Sequence, residues 1–165
     1  MGCLVSVCLG EDAPTLVKAD LVKKPGKVHQ PAVTKYTDKA PCFCVRVELD
    51  KPCKDFALTA LLVAVGAKGY LKGLRVALFE RNLTKSDGNV HIISINRSDN
   101  HRTWPRGKYK IEVRMKLGGD VFDDMDEYGK AKTVTQGHLS KNLADKSQKA
   151  TLGGDLIATI PFIVQ

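Results

Sequence analysis

The stretch that decides the fold lies at residues 106–117 and reads RGKYKIEVRMKL. Apolar side chains at every second position from Tyr109 to Leu117 alternate with charged ones. Successive side chains of a β-strand point to opposite faces, so this alternation predicts a strand that is buried on one face only. The preceding residues 104–107, WPRG, predict the turn that starts it.

Strands of a similar kind are expected on both sides of this stretch. They cover residues 42–49, 56–65, 71–80, 90–95 and 156–164. Six or seven short strands, with a turn about every ten residues, are typical of an all-β domain. We expect an antiparallel two-layer β-sandwich, immunoglobulin-like or jelly-roll-like. Residues 120–150 are less regular, and we expect one short helix or a long loop there.

The first part of the chain differs from the rest. Prolines at positions 14, 25, 31 and 41 are interleaved with lysines, and proline interrupts helices and central strands. We therefore expect residues 1–41 to form an N-terminal arm or edge segments, and residues 42–165 to form the β-sandwich domain. No apolar run approaches the roughly 18 residues that span a bilayer, so no transmembrane segment is expected.

Two segments resemble known β-sandwich sequences. WPRGKYKIEV at residues 104–113 is similar to the proline-glycine-x-tyrosine strand start of many immunoglobulin-like sandwiches, and IATIPF at residues 157–162 is similar to their final strand. Lipid-recognition domains of the ganglioside-activator type look similar at the same places. The resemblance implies a fold class and no particular activity. The cysteines depart from the lipid-recognition pattern, since none lies in the final strand.

Positive charge is concentrated in the middle of the chain. Residues 51–117 carry fourteen Lys or Arg against five Asp or Glu. The alternation in residues 106–117 places several of these cations on one strand face, and a basic surface of this kind suits a polyanion or an anionic membrane. A solvated outer face, or a lysine-protected edge strand, would show the same pattern. The residues predicted to bind a polyanion are Arg75, Arg106, Lys108, Lys110, Arg114 and Lys116.

The N-terminal sequence MGCLVS matches a lipidation pattern. Gly2 with Ser6 fits the N-myristoylation motif, and Cys3 is placed to take a palmitoyl chain, so that two chains would anchor the protein stably. A first β-strand over residues 3–9 is the alternative. An export signal is not evident, and five cysteines without a CxxC pair favour reduced thiols. We expect a cytoplasmic location, with membrane association if the chain is acylated.

Motifs for catalysis or metal binding are not evident. The four histidines are scattered, and no nucleophile elbow, phosphate loop or dinucleotide fingerprint occurs. We expect no enzyme activity, no metal site and no cofactor. The acidic stretch from Asp120 to Glu127 fails the EF-hand pattern, because Thr135 stands where a bidentate Glu is required. A weak loop-type calcium site and self-assembly through docking onto the basic face of another copy are the alternatives.

Together these patterns predict a non-enzymatic binding or structural-assembly module with a basic sheet face for an anionic partner. One version is a membrane-peripheral adaptor, a lipoprotein anchored through Gly2 and Cys3. A second is a virus or phage structural subunit of the capsid type, which would be oligomeric. A third is a lipid- or glycan-binding β-sandwich.

Overall fold

A computed structural model describes residues 13–83, 87–97, 102–117, 136–138 and 152–165. Within these residues the chain is nearly all β, with ten strands and no helix. The strands are β1 (Leu16–Val22), β2 (Ala32–Val33), β3 (Lys35–Tyr36), β4 (Cys42–Leu49), β5 (Phe56–Ala67), β6 (Arg75–Asn82), β7 (Val90–Asn96), β8 (Gly107–Leu117), β9 (Gln136–His138) and β10 (Asp155–Val164).

The strands form two sheets. Four strands pair in the order β2-β1-β4-β7, and six pair in the order β3-β10-β8-β5-β6-β9. The prediction of an all-β chain is confirmed. The pairing is antiparallel throughout except between β3 and β10, which run parallel. The expected antiparallel arrangement is interrupted at this edge of the six-stranded sheet, where β3 runs parallel to β10.

One apolar cluster is shared by the two sheets. The predicted apolar face of β8 supplies Tyr109, Ile111, Val113 and Met115, each at most 1% exposed. The four-stranded sheet contributes side chains such as Phe43, and β5 contributes Leu58, Ala60 and Leu62. Burying one such large apolar side chain stabilises a fold by about 1.5 to 3 kcal/mol, so this cluster is the main stabilising element.

An aromatic corner fixes the turn before β8. The ring of Trp104 stacks on Phe43 with 4.3 Å between centroids, and its indole N–H donates to the carbonyl of Ala40 at 2.8 Å. The Tyr109 hydroxyl donates to the Pro105 carbonyl at 2.7 Å. These contacts hold the predicted turn at one end of the core.

Gly107 allows two strands to approach closely at this corner. Its φ is 140°, and a Cβ there would lie against the carbonyl oxygen of Gly66 and 2.5 Å from the Cα of Ala67. A side chain at this position would force β5 and β8 apart. The start of β8 therefore requires glycine.

The chain before Cys42 contributes strands to both sheets. β1 lies between β2 and β4, with Asp20 directly opposite Arg46. Pro14 and Pro25 lie on either side of β1 and Pro31 precedes β2, so none of the three interrupts a strand. Residues 16–22 are thus a paired strand of the four-stranded sheet.

Two regions differ most from the sequence prediction. The strand expected over 71–80 begins only at Arg75, because residues 71–74 form a turn with Gly73 at a φ of 84°. Within 120–150, residues 136–138 form β9, which pairs with β6, so the expected helix or loop is replaced by a strand there. The other residues of that region, including the acidic loop, lie outside the described residues, as do Gly2 and Cys3. In the described residues no helix has the length and apolar character needed to cross a membrane.

Candidate binding face

The outer face of the six-stranded sheet carries most of the predicted cations. Lys108, Lys110, Arg114 and Lys116 alternate along β8 with its buried residues, so they share the side that faces away from the core. We call this side the basic face. Arg75 belongs to it as well, because it lies opposite Val63 of β5, which is itself opposite Lys110. Arg106 immediately precedes β8.

A further lysine joins this face from the other end of the chain. Lys35 of β3 is in register with Ile163 of β10, and Ile163 is in register with Lys108 of β8. The three side chains form one row across three neighbouring strands. Strands are spaced about 4.8 Å apart, so the Cα atoms of the two lysines lie about 10 Å apart, one on each side of Ile163.

The cations of this face differ in their partners. The Lys110 ammonium is 2.6 Å from Glu112, the Arg106 guanidinium is 2.8 Å from Asp38, and Arg114 donates to the carbonyl of Gly154 at 3.2 Å. Arg75 and Lys116 also interact within the protein. By contrast, no acidic side chain pairs with Lys35 or Lys108 in the part of the chain that the structure describes. Among the described residues of the basic face, these two lysines are the cations with no recorded ion pair or hydrogen bond.

An apolar depression of about 490 Å³ lies between these lysines. Its apolar lining includes Val65, Pro161 and Ile163, and Lys35, Lys108 and Lys110 stand around it. Ile163 is 37% exposed, a large fraction for an isoleucine that is paired with a neighbouring strand on each side. We call this feature the lysine-rimmed depression.

Local irregularities in β5 shape the depression. The register between β5 and β8 shifts between Ala64 and Gly66, which makes Val65 the extra residue of a β-bulge. Gly66 lies opposite Lys108 and has no side chain to fill the space beside it. A Cβ at Gly66 would still have room, at 3.9 Å from the Cβ of Lys108. The open space beside Gly66 therefore exists because glycine has no side chain, and a small side chain would fit there.

The buried titratable groups lie elsewhere. His91 is 1% exposed and belongs to β7; neither ring nitrogen has a hydrogen-bond partner in the described structure. Burial, and then the positive charge of Arg81, lower the pKa of His91, against a smaller opposite effect of Asp87. The histidine therefore stays neutral near pH 7.

Two cysteines of β4 lie in contact. The Sγ atoms of Cys42 and Cys44 are 3.4 Å apart, and both thiols are buried and free, as is that of Cys53. The hydrogen bond between the two thiols lowers the pKa of Cys42 and raises that of Cys44. No group of three or more His, Cys, Asp or Glu suited to a metal ion occurs among the described residues.

No protein-family model and no curated protein matches this sequence. The assignment of function therefore depends on the residues of the chain itself. Sequence reasoning identified the cations of β8 but missed Lys35, Val65 and Ile163. The cations of β8 were predictable from the alternation of that strand. The other three residues come together only through the pairing of β3, β10 and β5 around β8.

Proposed function

We propose that this chain is a non-enzymatic binding module, a β-sandwich whose basic face binds an anionic partner. The sandwich arrangement is supported by the apolar cluster that both sheets share. It is further supported by the hydrogen bond from the Tyr109 hydroxyl to the carbonyl of Pro105, which resembles the tyrosine corner of immunoglobulin-like domains.

The row of Lys35, Ile163 and Lys108 carries the proposal for function. Two lysines without ion pairs among the described residues lie in one row on the outer side of the sheet, one on each side of Ile163. Each Lys or Arg near an anionic membrane surface contributes about 1 kcal/mol of binding at physiological salt. An anionic membrane surface is the partner that this arrangement fits best.

A nucleic acid fits the face less well. Single strands are usually bound by aromatic side chains on which bases stack, in addition to cations. Tyr109 is the aromatic residue of β8, and it is 1% exposed and points into the core. The residues of β8 therefore offer a nucleic acid cations without an exposed aromatic side chain for base stacking.

Binding to vesicles with and without anionic lipid tests the proposal. We expect sedimentation with anionic vesicles, little with neutral ones, and a loss of binding as salt rises. The triple variant K35E/K108E/K110E should lose this binding. A matched control, K23E/K24E/K27E, changes the net charge equally in the exposed loop between β1 and β2. It should keep most of the binding.

Two outcomes would contradict the proposed face. Equal losses in both triple variants would mean that net charge alone attracts the protein to the vesicle. Binding that survives K35E/K108E/K110E would mean that another surface is responsible. Circular dichroism spectra of both variants should match the wild type, since all six lysines are solvent-accessible side chains or lie at the sheet surface.

Acylation of Gly2 and Cys3 remains part of the proposal for a cytoplasmic, membrane-peripheral adaptor. Two acyl chains would add the stable anchoring that a charged face alone does not give. The intact mass of the protein from its native source tests this point. A mass with acyl chains supports the adaptor, whereas an unmodified protein in a large symmetric assembly favours the structural-subunit alternative.

A further inference from the structure

We infer that the lysine-rimmed depression binds a single acyl chain that carries an anionic head group. The inference rests on the proposed function and narrows the anionic partner to an amphiphile. The ligand chemistry is that of a fatty acid or of one chain of an anionic lipid.

The lining of the depression points to an apolar ligand. A polyanion needs only the ammonium groups, and it gains nothing from Val65, Pro161 and Ile163. A volume of about 490 Å³ lies in the range of about 300 to 1,000 Å³ that small-molecule pockets have. An exposed apolar surface beside the edge strand β3 fits a ligand with an apolar part.

The lysines point to a negative charge on the same ligand. Lysine side chains lay their methylene stems along apolar surface and keep the ammonium group in water. Lys35 and Lys108 can both do so from opposite sides of Ile163, which brings two positive charges to the edge of an apolar floor. An acidic head group at that edge would be paired while its chain covers the floor.

Lys110 has a smaller part in this arrangement. Its ammonium group is 2.6 Å from Glu112, so its charge is partly neutralised before any ligand arrives. We expect the head group to depend more on Lys35 and Lys108 than on Lys110. This ranking separates a defined site from a diffuse positive field, in which all three lysines would count equally.

Titration with soluble fatty acids below their micelle concentration tests whether the depression binds an acyl chain. Tetradecanoate, dodecanoate and decanoate should bind with one-to-one stoichiometry by calorimetry, with affinity falling by up to about fourfold for each methylene removed. Dodecanol has the chain without the charge, and it should bind at least about tenfold more weakly than dodecanoate. Affinity that is independent of chain length, or no binding at all, would overturn the inference.

Two substitutions separate the apolar floor from the charged rim. V65W fills the depression without changing charge, and it should lower dodecanoate affinity at least about tenfold while vesicle binding persists. L117W, at an exposed position near the far end of β8, is the matched control and should leave both unchanged. K35Q and K108Q should each weaken dodecanoate more than K110Q does. If V65W fails to fold, I163S provides the same test by making the floor polar.

The paired results distinguish this inference from the proposed function. Lysine-dependent vesicle binding without dodecanoate binding would leave the basic face as a membrane surface and refute the acyl site. Dodecanoate binding without vesicle binding would support the acyl site for a free ligand and refute the membrane-surface proposal. Dodecanoate and vesicle binding that are both abolished by V65W would indicate a chain taken up from the bilayer.

Discussion

The cations on the outer sides of the two sheets differ in their ion pairs and in their exposure to solvent. On the four-stranded sheet, Arg46 makes two hydrogen bonds to Asp20 at 2.8 and 2.6 Å, and it donates to the carbonyls of Val28 and Gln30 at 2.8 Å each. The Arg46 and Asp20 side chains are 12% and 13% exposed. On the six-stranded sheet, Lys108 faces solvent and is exposed. An outward-facing strand position thus holds an ion-paired arginine in the four-stranded sheet. In the six-stranded sheet it holds a lysine that has no ion pair among the described residues.

The difference lies in what the neighbouring strand offers. β1 places a carboxylate opposite Arg46, whereas β10 places Ile163 opposite Lys108. Burial alone would raise the pKa of Asp20, but its hydrogen bonds to Arg46 and Lys18 hold that pKa below its usual value. The stability that this carboxylate contributes is present above about pH 3.9 and is lost as pH falls through its folded-state pKa. Arg46 therefore belongs to an ion pair of the fold, whereas Lys108 has no ion pair among the described residues.

Breaking the ion pair between Arg46 and Asp20 should have the largest effect on the free energy of unfolding. R46A leaves Asp20 without its main partner at a nearly buried site and releases the loop carbonyls of Val28 and Gln30. We expect a loss of about 3 kcal/mol in the free energy of unfolding, measured by urea denaturation. The double variant D20A/R46A should regain part of that loss, because no unpaired carboxylate is left. A loss below about 1 kcal/mol for R46A would show that the pair is not structural.

A buried group with no partner should have the next largest effect, of opposite sign. H91L removes a ring whose nitrogens lack partners in the described structure, and we expect a gain of about 1 to 2 kcal/mol at pH 7. The pKa of His91 is lowered in the fold, so the wild type should lose stability as pH falls below about 6.5, where the unfolded chain takes up the proton.

The pH dependence of urea denaturation checks this expectation. H91L should lose less stability than the wild type between pH 7 and pH 5. H29L, which changes an exposed histidine in the loop between β1 and β2, is the matched substitution for comparison. If H91L and the wild type lose stability in parallel, His91 is not the group that responds to acid.

An exposed ion pair should matter less than the matched pair of β1 and β4. Arg106 is bonded to Asp38 at 2.8 Å, but its side chain is 70% exposed. A double-mutant cycle with R106A and D38A should give a coupling of about 0.5 kcal/mol that decreases at high salt. A coupling near that of Arg46 with Asp20 would show that geometry, and not burial, sets the strength of these pairs.

Replacing Lys35 or Lys108, which have no ion pair in the described structure, should have the smallest effect on stability. K35A and K108A should each change the free energy of unfolding by less than about 0.5 kcal/mol, because no ion pair is lost in the described structure. Small gains are expected when both are replaced, since repulsion across Ile163 is relieved. A loss above about 1 kcal/mol for K108A would mean that this lysine stabilises the fold itself.

Strong alternation made parts of the fold predictable. β4 occupies the range expected from sequence, and β8 and β10 begin within one residue of it. β1 was missed because the nearby prolines suggested an arm, although none of them lies in the strand. β3 and β9 have only two and three residues, too few for any periodicity to be visible.

The candidate site was predictable only where it lies on one strand. The cations of β8 share a face by the alternation of their own strand. Lys35 and Ile163 join them through the pairing of β3 with β10, which no local pattern encodes. The ion pair of Arg106 with Asp38 joins residues that are 68 positions apart, so no local pattern predicts it.

The parallel pairing of β3 with β10 has a consequence for biosynthesis. The amide of Gln165 donates to the carbonyl of Tyr36 at 2.9 Å, and the amide of Asp38 donates to the carbonyl of Gln165 at 2.8 Å. At about 5 to 20 residues per second, β3 leaves the ribosome on the order of ten seconds before its partner. β10 also supplies Pro161 and Ile163 to the depression. The depression therefore cannot be complete before the ribosome has synthesised residues 155–164.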